Sequence, residues 1–180
     1  MALRATVFRA QLAVSDMDRS RFAEHALTIA RHPSETDERM MTRVLAFAMH
    51  SSDTLAFGRG LSDVDEPDLI DRDPTGAIEL WIEIGLPDER SVLKACGRAR
   101  RVVVLVYGHK ADLWWKGAEA GLARARNLTV IRIASTESRA IEALAARAMD
   151  LQVTVQDGIV WFSDAATTVE LHPELLRAPA

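Results

Sequence analysis

The chain has 180 residues, 48% hydrophobic and 27% charged, with 22 Lys+Arg against 26 Asp+Glu. That length and balance suit one globular domain spanning 1–180, and the net charge of −4 excludes a global basic field for holding nucleic acid, so any such contact is expected to be local. A single cysteine, Cys96, excludes an internal disulfide, and no run approaches the roughly 18 apolar residues a membrane span needs.

The opening "MALRATVFRAQLAV" alternates where a targeting peptide has a continuous apolar stretch. Leu3–Val14 therefore reads as a strand, with a cytoplasmic location expected and no membrane partner. A turn at "SDMDRS" precedes a short helix, Arg21–Ala30, which "RHP" ends because Pro33 disfavours the helical state at His32. Ser34 is the expected N-cap of a second helix, with Asp37 three residues on and the stripe Met41, Leu45, Ala48 running to about His50. Residues Thr54–Gly60 form a weaker strand candidate, and the acidic "LSDVDEPDL" leads into another.

In Ile78–Leu86, five apolar residues alternate with Glu79, Trp81, Glu83 and Gly85, the pattern of a half-buried strand. A helix follows over Asp88–Arg100. "RVVVLVY" (Arg101–Tyr107) is β-branched and continuously apolar, as a strand covered on both faces is, and belongs at the sheet's centre. Helix Ala111–Arg126, strand Leu128–Ala134, helix Thr136–Met149 and a hairpin turning on Asp157-Gly158 complete an α/β class with a mixed sheet.

Period-two geometry puts Glu79, Trp81 and Glu83 on one face of their strand. Glu38 extends the apolar stripe of the second helix, and Asp68 adds a carboxylate if its strand lies beside that of Glu83. Buried acids that repel one another persist mostly where a hard cation offsets their charge, which makes magnesium the natural candidate. Plainer readings cover the same residues. Glu79 and Glu83 fit the solvated face of an edge strand, Asp68 an acidic loop, and Glu38 a first-turn acid favoured by the helix dipole. His32, His50 and His109 lack zinc-ligand spacing, and there is no phosphate-binding glycine motif.

"LTIARHPSETDERMMTRVLAF", "DEPDL", "LWIEIGLPDERSVLKAC", "LWW" and "LQVTVQDGIVWFSD" resemble the YaeQ family, in order and over essentially the whole chain. The resemblance implies a compact variation on the PD-(D/E)XK nuclease fold: a restriction-endonuclease-like mixed-sheet core with additional N- and C-terminal strands. Its helix, three strands, helix, strand order agrees with that read from Ser34 to Tyr107. In that pattern Asp68 matches the acid of the second core strand and Glu83 the acid of the third. The lysine expected two residues after Glu83 is Gly85 here, and Lys94, the only lysine of the following helix, is the candidate replacement. Glu38 corresponds to a first-helix acid that some superfamily members add to the metal site.

The resemblance thus implies a Mg²⁺- or Mn²⁺-dependent phosphodiesterase, with Asp68, Glu83 and Lys94 catalytic and Asp68, Glu83 and Glu38 at the metal. The alternative it leaves open is a nuclease-like scaffold that has lost turnover and binds nucleic acid or protein. Arg90, Lys94 and Arg98, spaced i, i+4, i+8, offer a local basic patch for a phosphate backbone, or simply a solvated helix face.

Overall fold

The computed structural model describes residues 3–59 and 65–180. The chain begins with strands β1 (Thr6–Asp16) and β2 (Arg21–Arg31), helix α1 (Asp37–Met49), and strands β3 (Ala56–Phe57), β4 (Leu69–Arg72) and β5 (Ile78–Ile84). It continues through α2 (Glu89–Cys96), β6 (Ala99–Tyr107), α3 (Ala111–Leu122), β7 (Leu128–Ile133) and α4 (Ser135–Glu142). Strands β8 (Ala148–Gln156), β9 (Ile159–Ser163), β10 (Thr168–Leu171) and β11 (Glu174–Arg177) close it.

These strands form two mixed sheets where the sequence pointed to one. The first has the order β10-β9-β8-β1-β2 and the second β11-β7-β6-β5-β4-β3. The reason for two lies in α1, where every residue from Met40 to Ala48 is buried. A helix that is apolar nearly all round needs cover on more than one side. Its Met40, Met41, Leu45 and Phe47 share one core with Phe8, Leu12 and Val14 of β1, Leu151 and Val153 of β8, and Leu80, Ile82 and Ile84 of β5. On the far side of the second sheet, Val92 and Ala95 of α2 and Ala118 and Leu122 of α3 pack on Trp81, Val102, Val104 and Val106. Both faces of β6 are therefore covered, which accounts for its unbroken apolar run and its interior place.

The segment expected as helix Arg21–Ala30 is strand β2, antiparallel to β1 from Thr6↔Arg31 to Asp16↔Arg21. Its buried residues, Leu27 and Ile29, lie two apart, which suits a strand and gives a helix no stripe. An eleven-residue ladder against β1 then outweighs the local helix propensity of Ala, Glu and Leu. At the other edge of β1, β8 pairs in parallel, with Ala10↔Met149 and Leu12↔Leu151. That pairing is why α4 stops at Glu142 instead of running to Met149. The hairpin to β9 turns on Asp157 and Gly158, both at positive φ (53° and 75°), as the dipeptide predicts.

Other boundaries shift by a turn or less. The N-cap of α1 is Thr36, not Ser34: its Oγ1 accepts from the Arg39 N–H at 3.1 Å, whereas the Ser34 hydroxyl meets the His32 ring. Helix α2 ends at Cys96 because the Asn127 side-chain amide draws the Cys96 and Ala99 carbonyls together, each at 2.9 Å, and β6 starts at Ala99. Arg98 therefore lies beyond the helix that was expected to carry it. Helix α3 stops at Leu122, short of Arg126. Strand β3 is confined to Ala56–Phe57: of its expected span, Thr54, Leu55, Gly58 and Arg59 lie outside the strand, and Gly60 lies outside the described residues. No described helix is long and apolar enough to cross a membrane.

Candidate functional site

Asp68 immediately precedes β4, whose Leu69 pairs with Ile82 of β5, and Glu83 is the next residue of β5. Asp68 thus stands at the start of β4, its N–H on the Ile82 carbonyl at 2.9 Å, beside the β5 residue that follows Ile82. Gly58 fixes the approach of the Asp68 segment. Its N–H donates to the Asp68 carbonyl at 2.9 Å, and a Cβ at this glycine would fall 1.9 Å from the Pro67 carbonyl oxygen.

Asp68 is buried, and both of its oxygens are engaged. Oδ2 accepts from the Ile84 backbone N–H at 2.7 Å, and Oδ1 from Arg39 Nη2 at 2.7 Å. The same Nη2 donates to the Ile84 carbonyl at 3.3 Å, while Arg39 Nη1 donates to Glu35 Oε1 at 3.0 Å. Glu35 is held in turn by Arg43, which also donates to the Ala30 carbonyl at 3.0 Å. The chain Arg43–Glu35–Arg39–Asp68 alternates in sign, so each buried charge has a partner.

Glu83 is half-buried, and its Oε1 accepts from the Trp81 indole N–H at 2.7 Å. Burial pushes its carboxyl up to about 7. The Asp68 charge adds to the rise, while the indole donor and Arg39 oppose it. Trp81 is itself buried, with the Arg98 guanidinium 5.0 Å from its ring centroid. Tyr107, at the end of β6, is pushed up to about 12, first by burial, and it lies in the fields of Arg39, Glu38, Glu35 and Asp68. Glu83, Tyr107, Asp68 and Arg39 gather at the carboxyl ends of the parallel strands β5 and β6, whereas Arg98 precedes β6.

The remaining sequence candidates are placed differently. Glu79 pairs at the surface with Arg100 at 3.0 Å. Glu38 Oε1 accepts from Ser138 Oγ of α4 at 2.7 Å and borders an open cleft with Gly108, His109, Thr136 and Arg139. Lys94 Nζ bonds Asp65 Oδ1 at 2.6 Å, although its side chain borders the same small cavity as Glu83, Ser91 and Arg98. Arg98 donates to the Asp65 carbonyl at 3.3 Å. Arg90, Lys94 and Arg98 are all exposed. Among the described residues, no group of three or more His, Cys, Asp or Glu is gathered so as to hold a metal ion. Asp68 and Glu83 lie across the β4–β5 pairing, while Glu38 is engaged by Ser138 of α4.

Sequence reasoning passed over Glu35, Arg39 and Arg43. Their spacing, i, i+4, i+8 across the start of α1, was the available signal. It reads equally as a solvated face, and only burial distinguishes the two.

Fold and site together define a mixed α/β protein with a carboxylate pair at the ends of its parallel strands, one member of which is bound by an arginine from the first helix. The family model described as YaeQ protein matches residues 1–173, and the chain belongs to the YaeQ family. It is 43% identical over 181 residues to "Uncharacterized protein YaeQ" of Salmonella typhi and 41% identical to that of Escherichia coli (strain K12), covering 100% of each chain in both cases. The crystal structure of YaeQ protein from Xanthomonas axonopodis pv. citri is similar with TM-score 0.94 and 51% identity, over 97% of this chain and 99% of that one. That from Pseudomonas syringae gives TM-score 0.93 and 32% identity, over 97% of both chains.

Proposed function

We propose that this chain is a phosphodiesterase of the PD-(D/E)XK nuclease type, dependent on Mg²⁺ or Mn²⁺ and centred on Asp68 and Glu83. One observation carries the reading: Asp68 Oδ1 and the Ile84 carbonyl oxygen already converge on a single cationic nitrogen, Arg39 Nη2, with Glu83 on the adjoining position of β5. The order α1-β3-β4-β5-α2-β6 agrees with the core order of that fold type. A carboxylate and a carbonyl turned on one positive atom, beside a second carboxylate, have the hard-oxygen chemistry of a magnesium site. One or two protein carboxylates suffice when water and phosphate complete the shell. Asp68 and Glu83 would hold the ion. Bound there, it would polarise a phosphodiester and lower the pKa of its water.

The protein's own part is positional. Ile84 N–H holds the Asp68 carboxylate in a fixed orientation, and the Trp81 indole does the same for Glu83. Lys94, bordering the Glu83 cavity, would supply an ammonium for charge developing on phosphoryl oxygens once it leaves Asp65. Arg90 and Arg98, exposed on and beyond α2, supply local positive charge for a nucleic-acid backbone.

The second reading, a nuclease-like scaffold that binds nucleic acid or protein without turnover, draws on Gly85 at the expected lysine position and on the Lys94–Asp65 pair. Two measurements separate the readings. Mn²⁺ is expected to raise the thermal midpoint of the wild type and not of Asp68→Asn. Labelled DNA and RNA, single- and double-stranded, are expected to be cut in Mn²⁺ by wild type and spared by Glu83→Gln. Binding without cutting would favour the scaffold, and an equal Mn²⁺ shift in wild type and Asp68→Asn would remove the metal site.

A further inference from the structure

We infer that Arg39 is a built-in counter-cation of the carboxylate pair: its guanidinium holds the Asp68 and Ile84 oxygens in the metal-free protein, and a divalent cation enters only by displacing it onto Glu35. The inference rests on the reading of Asp68 and Glu83 as the cation site and adds to it how the site is kept closed.

Asp68 needs a positive partner. It is buried at 6% exposure, and its Oδ2 is held by the Ile84 N–H at 2.7 Å, so bulk water does little to offset its charge. A buried carboxylate without a cation is strongly unfavourable, and Arg39 supplies that cation. Its Nη2 lies 2.7 Å from Asp68 Oδ1 and 3.3 Å from the Ile84 oxygen, the two atoms that a metal held at this pair would share with Glu83. Both cations claim the same oxygens, so they compete.

Arg39 also has somewhere to go. Its Nη1 is already bonded to Glu35 Oε1 at 3.0 Å, and Glu35 is immobilised by two bonds from Arg43. When Nη2 leaves Asp68, the guanidinium keeps this second anchor. The backbone of Arg39 does not have to move, because Thr36 Oγ1 caps its N–H in the first turn of α1. Its side chain is 16% exposed, so the cation stands at the edge of the core and within reach of solvent. One guanidinium matches one of the two acids, whereas a divalent ion matches both. The exchange is thus favoured by charge and opposed by the arginine's hydrogen bonds. Apparent metal affinity is therefore set by Arg39 as much as by the ligands.

The test is Mn²⁺ binding to the whole chain by calorimetry, in wild type, Arg39→Gln, Arg39→Lys and Asp68→Asn. Arg39→Gln is expected to bind tighter than wild type by about ten-fold or more, a lower bound, since removing one close positive charge at an effective dielectric of about 20 would by itself give roughly a thousand-fold. Arg39→Lys keeps the charge and is expected to stay near wild type, and Asp68→Asn to bind nothing. An Arg39→Gln protein that binds no tighter, with Asp68→Asn still inactive in binding, would overturn the competition and leave the metal site standing. Absence of Mn²⁺ binding in every variant would remove both. Should Arg39→Gln not fold, the wild type answers alone in ¹⁵N spectra of arginine side chains. Mg²⁺ is expected to shift the Arg39 Nε–H resonance, identified by its loss in Arg39→Lys, and to leave that of Arg43 in place. A bound metal with an unmoved Arg39 resonance would refute the displacement.

Discussion

Glu35 receives both of its principal bonds from Arg43, Nε to Oε1 and Nη2 to Oε2, each at 2.8 Å, with both side chains 2% exposed. This pair is the deepest element of the charge chain that ends at Asp68. Taking one partner away leaves the other charged and buried. Arg43→Met is therefore expected to cost about 3–5 kcal/mol, and at roughly 2–4 °C per kcal/mol for a chain of this size the thermal midpoint falls by about 6–20 °C. The double substitution Glu35→Met/Arg43→Met should be less destabilised than Arg43→Met alone, as calorimetric melts of the three proteins would reveal. Equal losses would mean the charges are not coupled.

Gly85 explains structurally why no lysine follows Glu83 at the expected spacing. Its φ is +107°, a conformation that residues with a Cβ rarely adopt, although no heavy atom lies within 4 Å of where that Cβ would stand. The penalty for a side chain is one of backbone and not of space. Gly85→Ala and Gly85→Lys should each cost about 1–3 kcal/mol, and by similar amounts. Urea melts in which the lysine variant matches wild type would show that the backbone relaxes freely.

The carboxyl of Glu83 makes stability depend on pH. Its ordinary value is 4.5, and in the folded protein it rises to about 7, chiefly through burial. Between those values the folded state binds more protons than the unfolded one, so this group lowers stability progressively as pH rises from about 4.5 to about 7, and the loss is complete above that. Glu83→Gln removes the dependence. In metal-free buffer, mutant and wild type should be equally stable near pH 4.5, and above pH 7 the mutant should be more stable, by at most roughly 3 kcal/mol at about 1.4 kcal/mol per pKa unit. A constant difference across the range would mark Glu83 as a structural residue.

Lys94 is bound to Asp65 at the surface, where solvent screens the pair. Lys94→Met should leave the melting curve and Mn²⁺ affinity nearly unchanged and abolish metal-dependent cleavage, because an ammonium here serves the transition state and not the metal. Cleavage that survives the substitution would return Lys94 to the solvated face of α2.

Much of the second sheet is legible in the sequence. Alternation in "IELWIEI" and the unbroken "VVVLV" reflect short-range demands, the period of a pleated strand and the cover on its faces, which act residue by residue. The Asp157-Gly158 hairpin is similarly local, since positive φ at two successive residues selects the dipeptide. The neighbouring placement of Asp68 and Glu83 followed from motif resemblance and is realised in the β4–β5 ladder.

Strand β2 was not legible, because "RFAEHALTIA" carries only Leu27 and Ile29 as buried apolar residues and its state depends on the ladder offered by β1. Nor were the partners of the site's charges. Arg39 reaches Asp68 across 29 residues of sequence, Lys94 reaches Asp65 across 29, and Glu38 reaches Ser138 across 100. By itself the sequence determined which strands alternate, where one hairpin turns and which acids are available, since those follow from backbone periods and side-chain chemistry. Which acid meets which cation was decided by tertiary packing, because a charge buried between two sheets takes the nearest partner the fold supplies, and that distance is not a function of sequence separation.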